Sequence, residues 1–177
     1  MLFDEPRGRF DCMEFREAVE AAAAGYAAQR ASQVDLEAIT DCFKRMEAAH
    51  EKCDVDEIAR TDSDFHFAIY GAAHNLMLLQ IMRSLETILR SNVYLNRKNL
   101  YEYRREREEQ LVEHRAIYEA IMARDAKAAE EAARLHMIST METQREIHEE
   151  EQRLETAIRR LARNDLLVQP KVRQRAS

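Results

Sequence analysis

Glycine and proline are almost missing from this chain, whose 177 residues include three glycines and two prolines. The prolines are Pro6 and Pro170, so nothing between Arg7 and Gln169 obliges a helix to break. A sandwich or barrel of short strands needs turn residues far more often, which excludes an all-β fold. Cysteine is scarce as well: Cys12, Cys42 and Cys53 are odd in number and form no C-x-x-C pair. Neither a disulfide framework nor a thiolate metal site follows, and a reducing compartment is expected. No apolar run approaches the roughly 18 residues of a membrane span, and the opening MLFDEPRGRFD lacks the apolar core of a signal peptide. The expectation is a soluble, cytoplasmic protein with no membrane partner. An excess of positive charge is also lacking. At a net charge of −6 the chain does not carry the basic footprint of a nucleic-acid-binding domain. Its one basic cluster, Lys171, Arg173 and Arg175, follows Pro170 in a tail expected to be disordered.

What is present is 46% hydrophobic and 34% charged, at a length that suits one compact helical domain. Apolar residues recur at three- and four-residue steps. Asp11 is placed to cap a first helix carrying Phe15, Val19, Ala22 and Tyr26, slimmed by its run of alanines and Gly25. Ser32 caps a second, with Leu36, Ile39, Phe43 and Met46 on one face. Asp54 opens a third through Ile58, Phe65, Ile69 and Ala72, and Asn75 either stops it or starts the fourth. The fourth (Leu78, Leu79, Met82, Leu85, Ile88, Leu89, Val93) is apolar over a wide arc, so a central position is expected. Asn96 to Gln110 is nearly all polar and reads as a solvated lead-in or a mobile connection. Leu111, Ile117, Tyr118 and Ile121 define a fifth helix, and Asp125 caps a sixth that runs to about Ala162. A core of this size cannot cover so long a helix, so its second half is expected to project or to pack on a partner. The fold class is all-α: an antiparallel bundle of about six helices. Residues 1–10 are expected to form a linker, 11–163 the domain and 164–177 a disordered tail.

Four polar residues stand on faces that should be apolar. On the third helix, Asp62 and His66 share the stripe of Ile58, Phe65, Ile69 and Ala72, and their i,i+4 spacing sets them side by side. His114 stands among Leu111, Ile117, Tyr118 and Ile121, and His136 among Ala129, Ala132, Ala133 and Thr140. His50, His74 and His148 fall at helix ends or on charged faces and read as surface residues. A single core histidine is ordinarily just hydrogen-bonded. Three histidines and an aspartate on the inward faces of three helices can converge if those helices pack around one axis. Three imidazoles and a carboxylate suit a divalent transition metal such as zinc, nickel, manganese or iron, and a bundle core is where such sites are built.

At these residues the chain resembles a known family. Asp62-Ser-Asp-Phe-His66, continuing to Ala72-Ala-His-Asn75, is similar to the D-x-x-F-H…A-x-x-N stretch of the FadR-type ligand-binding domain. That is the C-terminal effector domain of one branch of the GntR superfamily of transcriptional regulators. Glu113-His114-Arg-Ala-Ile117, then Ala120-Ile121, Asp125, Ala128-Ala129 and His136, is similar to the second half of the same domain. Phe15-Arg-Glu-Ala-Val-Glu20 resembles its opening R-x-x-x-E helix. Within the branch, AAHNLMLLQIMRSLETILRSNV is similar to the pyruvate-dehydrogenase-complex repressor and to regulators that respond to L-lactate and glycolate.

The resemblance implies a helical bundle enclosing a metal, zinc foremost, with Asp62, His66, His114 and His136 as its ligands. It implies a small carboxylate effector beside the metal, and a homodimer. Arg16 is the candidate to clamp the effector's carboxylate through its two-pronged guanidinium, the competing reading being an ion pair with Glu20. Arg83 and Asn92 match further effector positions. The family's winged helix-turn-helix does not occur in this chain, so operator DNA is an expected partner only through that missing N-terminal domain. The leading reading is the effector-sensing domain of a transcriptional repressor, not an enzyme. The alternative is a metal-dependent enzyme acting on small organic acids, with Tyr118 and Glu113 its only candidate acid–base groups. A pure oligomerisation bundle leaves the four polar residues unexplained.

Overall fold

The computed structural model describes residues 6–85 and 104–167. Among them there are helices and no strands. The helices are α1 (Pro6–Arg30), α2 (Gln33–Lys52), α3 (Val55–Ala72), α4 (followed over 76–85), α5 (Arg104–Met122) and α6 (Ala126–Leu167). None is long and apolar enough to cross a membrane.

Most of the expected helix boundaries coincide with side-chain caps. Ser32 accepts from the Asp35 amide while Asp35 accepts from the Ser32 amide, a reciprocal box that satisfies two otherwise orphaned donors. Asp54 accepts from Glu57 N at 3.1 Å, and Asp125 from Ala128 N at 3.0 Å. Asn75 starts α4 rather than stopping α3: its side chain accepts from Leu78 N, while His74 takes the left-handed turn at φ 48°. Two boundaries differ from expectation. Helix α1 begins at Pro6, ahead of Asp11, because proline is well suited to a first helical turn and nothing after it interrupts. The polar stretch before Leu111 is already helical from Arg104, since its arginines and glutamates are good helix formers whatever their solvation. Ile88, Leu89, Val93 and the end of α4 lie outside the described residues, as does most of the 164–177 tail.

The described residues up to Thr143 form one compact unit. In it α3 packs on α1 and α2, and α5 packs on the same two helices. The alanines of α1 (Ala23, Ala24, Ala27, Ala28) are almost wholly buried and let neighbours come close. At Gly25 a Cβ would stand 3.4 Å from the Ala126 carbonyl, so the α1–α6 approach has little room to spare. Ile39, Phe43, Phe65, Ile69, Ile117 and Ile121 fill the centre, and Phe43 stacks on Tyr118 with centroids 4.6 Å apart. Arginines tie the helix ends together: Arg30 donates to the Ala73 carbonyl and Arg124 to the Ala31 carbonyl at 2.6 Å.

The remainder of α6 belongs to a second unit beginning at Gln144. Every side chain from 149 to 161 is exposed there. Leu154, Ile158 and Leu161, at i, i+4 and i+7, make an apolar stripe flanked by the ion pairs Arg153–Glu149 and Arg159–Glu155.

Candidate metal centre

Three helices bring the four polar residues of the sequence reading together. Asp62 and His66 come from adjacent turns of α3, His114 from α5 and His136 from α6, and none is more than 4% exposed. His114 Nε2 lies 3.2 Å from His66 Nε2 and 3.0 Å from Asp62 Oδ1, and Asp62 Oδ1 lies 3.7 Å from His66 Nε2. One nitrogen from each of the three histidines lies within 4.8 Å of the others. Atoms coordinated at about 2.1 Å stand about 3.0–3.5 Å apart, so this spacing suits a common transition-metal ion.

The outward nitrogens explain why the inward ones converge. His114 Nδ1 lies 2.7 Å from the Gln110 carbonyl, which can only accept, so Nδ1 is the donor there and Nε2 is the nitrogen turned to the cluster. His66 Nδ1 is 2.8 Å from Glu20 Oε2, and His136 Nδ1 is 3.0 Å from Glu113 Oε2. Each ring is thus held from behind by an acceptor, the outer support usual for metal-binding imidazoles. Nitrogens and a carboxylate turned to one buried spot need a cation or a proton between them.

Proton affinities diverge accordingly. Burial by itself drives the proton off His66, but Glu20 and Asp62 outweigh it and raise the pKa to about 9. Burial, reinforced by the neighbouring His114, lowers His136 to about 4 against the pull of Glu113. Phe65 walls the cluster, its ring edge-on to His114 at 5.6 Å and to His66 at 6.0 Å.

Of the two readings of Arg16, the structure shows the ion pair. It does pair with Glu20, Nε to Oε1 at 2.7 Å, but inside the protein and not on its surface. Because the other oxygen of Glu20 holds His66, Arg16 joins the cluster through one carboxylate. Burial opposes the charge of Arg16, yet Glu20, Tyr70 and Asp62 keep it firmly protonated. Arg83 is exposed on α4 and is not part of the cluster; Asn92 lies outside the described residues. His74 meets Asp35 and His148 meets Gln152, in keeping with surface roles, and His50 Nδ1 bonds to the Met46 carbonyl of its own helix.

Sequence reasoning does not place Glu20 or Gln110 behind the histidines, and it weighs Glu113 only as an acid–base group of the enzyme alternative. Glu113, next in sequence to His114, points about 100° away from it around α5. That angle is what turns it to His136 on α6. A charged residue beside a buried ligand, on the flank that meets the next helix, is the available signal. Tyr118 stacks on Phe43 and meets Thr40 at 3.3 Å, which leaves it no acid–base role in the cluster.

The chain is 36% identical over 153 residues to a putative L-lactate dehydrogenase operon regulatory protein of Escherichia coli (strain K12), covering 86% of this chain and 58% of that protein. It is 32% identical over 136 residues to the Glc operon transcriptional activator of the same organism, covering 75% and 54%. The chain therefore spans little more than half the length of these relatives. Both are named as regulators of operons. Among solved structures, E. coli McbR/YncC shares the fold at a TM-score of 0.70 with 18% identity, over 81% of this chain and 67% of that one. Residues 11–139, which hold the whole cluster, match the FCD domain, and the chain belongs to that family, as its FadR-type motifs led one to expect.

Proposed function

We propose that this chain is the effector-sensing and dimerisation domain of a GntR-superfamily transcriptional regulator acting in the cytoplasm. Asp62, His66, His114 and His136 hold one divalent transition metal, zinc first and nickel, manganese or iron next. A small carboxylate, a 2-hydroxy or 2-keto acid, binds beside it. The observation that carries this is the convergence of three buried imidazoles and a carboxylate, with the outward nitrogens all engaged by acceptors. When bound, the metal supplies a Lewis acid for an effector oxygen. The protein's own residues do the rest: Arg16 offers a permanent charge at the same buried layer, and Phe65 excludes water from one wall.

Effector binding alters the helix packing around the cluster and hence the spacing of two DNA-binding modules in a dimer. Operator contact itself belongs to a winged helix-turn-helix outside this chain, in line with the share of its relatives that the chain spans. The second copy packs on part of α6 or on α4; exposed Leu154, Ile158 and Leu161 support the first face and Leu76, Met77 and Ile81 the second.

Elemental analysis of protein purified without chelator is the direct test. One metal per chain is expected. Clearly less than one, with none added back on incubation with zinc, nickel, manganese or iron, overturns the metal reading. Calorimetry with L-lactate, glycolate, pyruvate and citrate on loaded and chelated protein tests the effector. Equal affinity in both forms overturns a metal-centred site.

A further inference from the structure

The second unit, from Gln144 onwards, leaves its apolar side chains largely open. Ile147, Leu154, Ile158 and Leu161 follow one another at steps of seven, four and three residues and so share one face of α6. Ile147 is half-buried, and Leu154, Ile158 and Leu161 are 62%, 56% and 65% exposed. A helix in a protein draws most of its stability from packing such a face. The FCD match ends at residue 139, so this segment lies outside the domain that defines the family.

The charges of the segment are sorted along its axis. Residues 142–151 hold five glutamates and one arginine, and residues 152–163 hold four arginines and one glutamate. A partner that covers the stripe must present an apolar face with the opposite order of charge. The same helix, turned end for end, is such a face. Two parallel copies would set glutamates on glutamates and arginines on arginines, whereas two antiparallel copies set each acidic half on a basic half.

The flanks of the stripe give the register. At about 100° per residue, Glu150 and Arg160 fall on one flank and Glu151 and Arg159 on the other, all four exposed. Two antiparallel helices meet like flank to like flank. Glu150 then faces Arg160 of the partner subunit, and Glu151 faces Arg159 of the partner subunit. Both pairs have the same midpoint, Glu155, so a single two-fold axis serves them all. In that register the apolar side chains of the two copies interleave along the seam. The pairs Arg153–Glu149 and Arg159–Glu155 within one helix are exposed and weak, and they do not oppose the exchange.

We propose that residues 147–161 of α6 pair antiparallel with the same segment of a second copy of this chain, about a two-fold axis at Glu155. This rests on the dimer reading above and names its face, orientation and register.

Charge exchange in the full chain tests it, with the dimer dissociation constant read by analytical ultracentrifugation. Glu150→Arg with Glu151→Arg, and separately Arg159→Glu with Arg160→Glu, should each weaken the dimer at least about tenfold, because like charges then face each other. The chain carrying all four substitutions should return to within about threefold of wild type, and an equimolar mixture of the two double variants should pair as well. Circular dichroism should be unchanged, since these side chains are exposed. Should a reversal lose helix, Glu150→Gln with Glu151→Gln removes the attraction without adding repulsion and should still weaken the dimer. A dimer that neither reversal weakens has a parallel seam or lies on another face; that overturns the proposal and leaves the dimer reading intact. Weakening that the fourfold exchange does not repair overturns it too. A monomeric wild type overturns both readings.

Discussion

In the metal-free chain His66 sits between Glu20 and Asp62 and keeps its proton up to a pKa of about 9, well above the ~6.5 of an unfolded histidine. A raised folded pKa adds stability that is complete below pH ~6.5 and is lost as pH climbs through 9. His136, lowered to about 4, does the reverse: its contribution is present above pH ~6.5 and disappears as pH falls towards 4. Chelated protein should therefore melt at its highest temperature near pH 6–7, with losses on both sides. Metal affinity should instead keep rising from pH 6.5 to 9, because the ion must displace the His66 proton. Thermal melts and metal titrations across that range check both slopes, and a flat affinity profile contradicts the proton competition. His114→Ala should lose metal and thermal stability together, whereas His50→Ala, whose ring nitrogen Nδ1 meets the Met46 carbonyl away from the cluster, should lose no metal. Metal analysis beside a melt separates the two. Arg16→Ala is a poor probe, since it strands the buried Glu20 carboxylate. Arg16→Lys keeps the charge and removes the fork, so effector affinity should fall about tenfold, roughly 1.4 kcal/mol, with metal content unchanged. Calorimetry reads the first and elemental analysis the second.

Helices of this chain owe their ends to single side chains. Ser32 and Asp35 cap each other across the start of α2, and the same Asp35 reaches His74 at the end of α3. The Ser32 and His74 contacts hold the Asp35 carboxyl below its ordinary range. Ser32→Ala removes one half of the box at an exposed site and should cost about 1 kcal/mol. For a chain of this length that is a melting shift of roughly 2–4 °C, with metal stoichiometry unaffected. The α1 helix contributes differently. Its alanines bury little area each, but they allow the approach that brings Glu20 to His66.

At the scale of the whole molecule, Leu154, Ile158 and Leu161 are among the large apolar side chains that a single copy leaves exposed. Light scattering at micromolar concentration should find a homodimer. Replacing both Leu154 and Ile158 by glutamate should weaken association if that stripe is at the interface, because paired glutamates cannot be desolvated there. A monomeric wild type contradicts the dimer, and a double variant that associates as well as wild type moves the interface elsewhere. The circular dichroism of the variant should be unchanged, since those side chains are exposed within their own unit.

Much of this protein is legible in its amino-acid sequence. Scarce glycine and proline, three- and four-residue periodicity and the caps at Ser32, Asp54 and Asp125 determine an all-α fold, because each is a local matter of backbone and neighbouring side chains. The candidate metal ligands are legible too, since a polar residue on an apolar helical stripe is anomalous whatever lies opposite. What the sequence does not state is which residue of one helix meets which of another. Glu20 behind His66, Glu113 behind His136 and Gln110 on Thr140 are contacts between residues 23 to 46 positions apart. They depend on the rotation and axial register of packed helices. Those are fixed by the summed packing of the core, here as close as the slim α1 allows, and only the tertiary structure decides them.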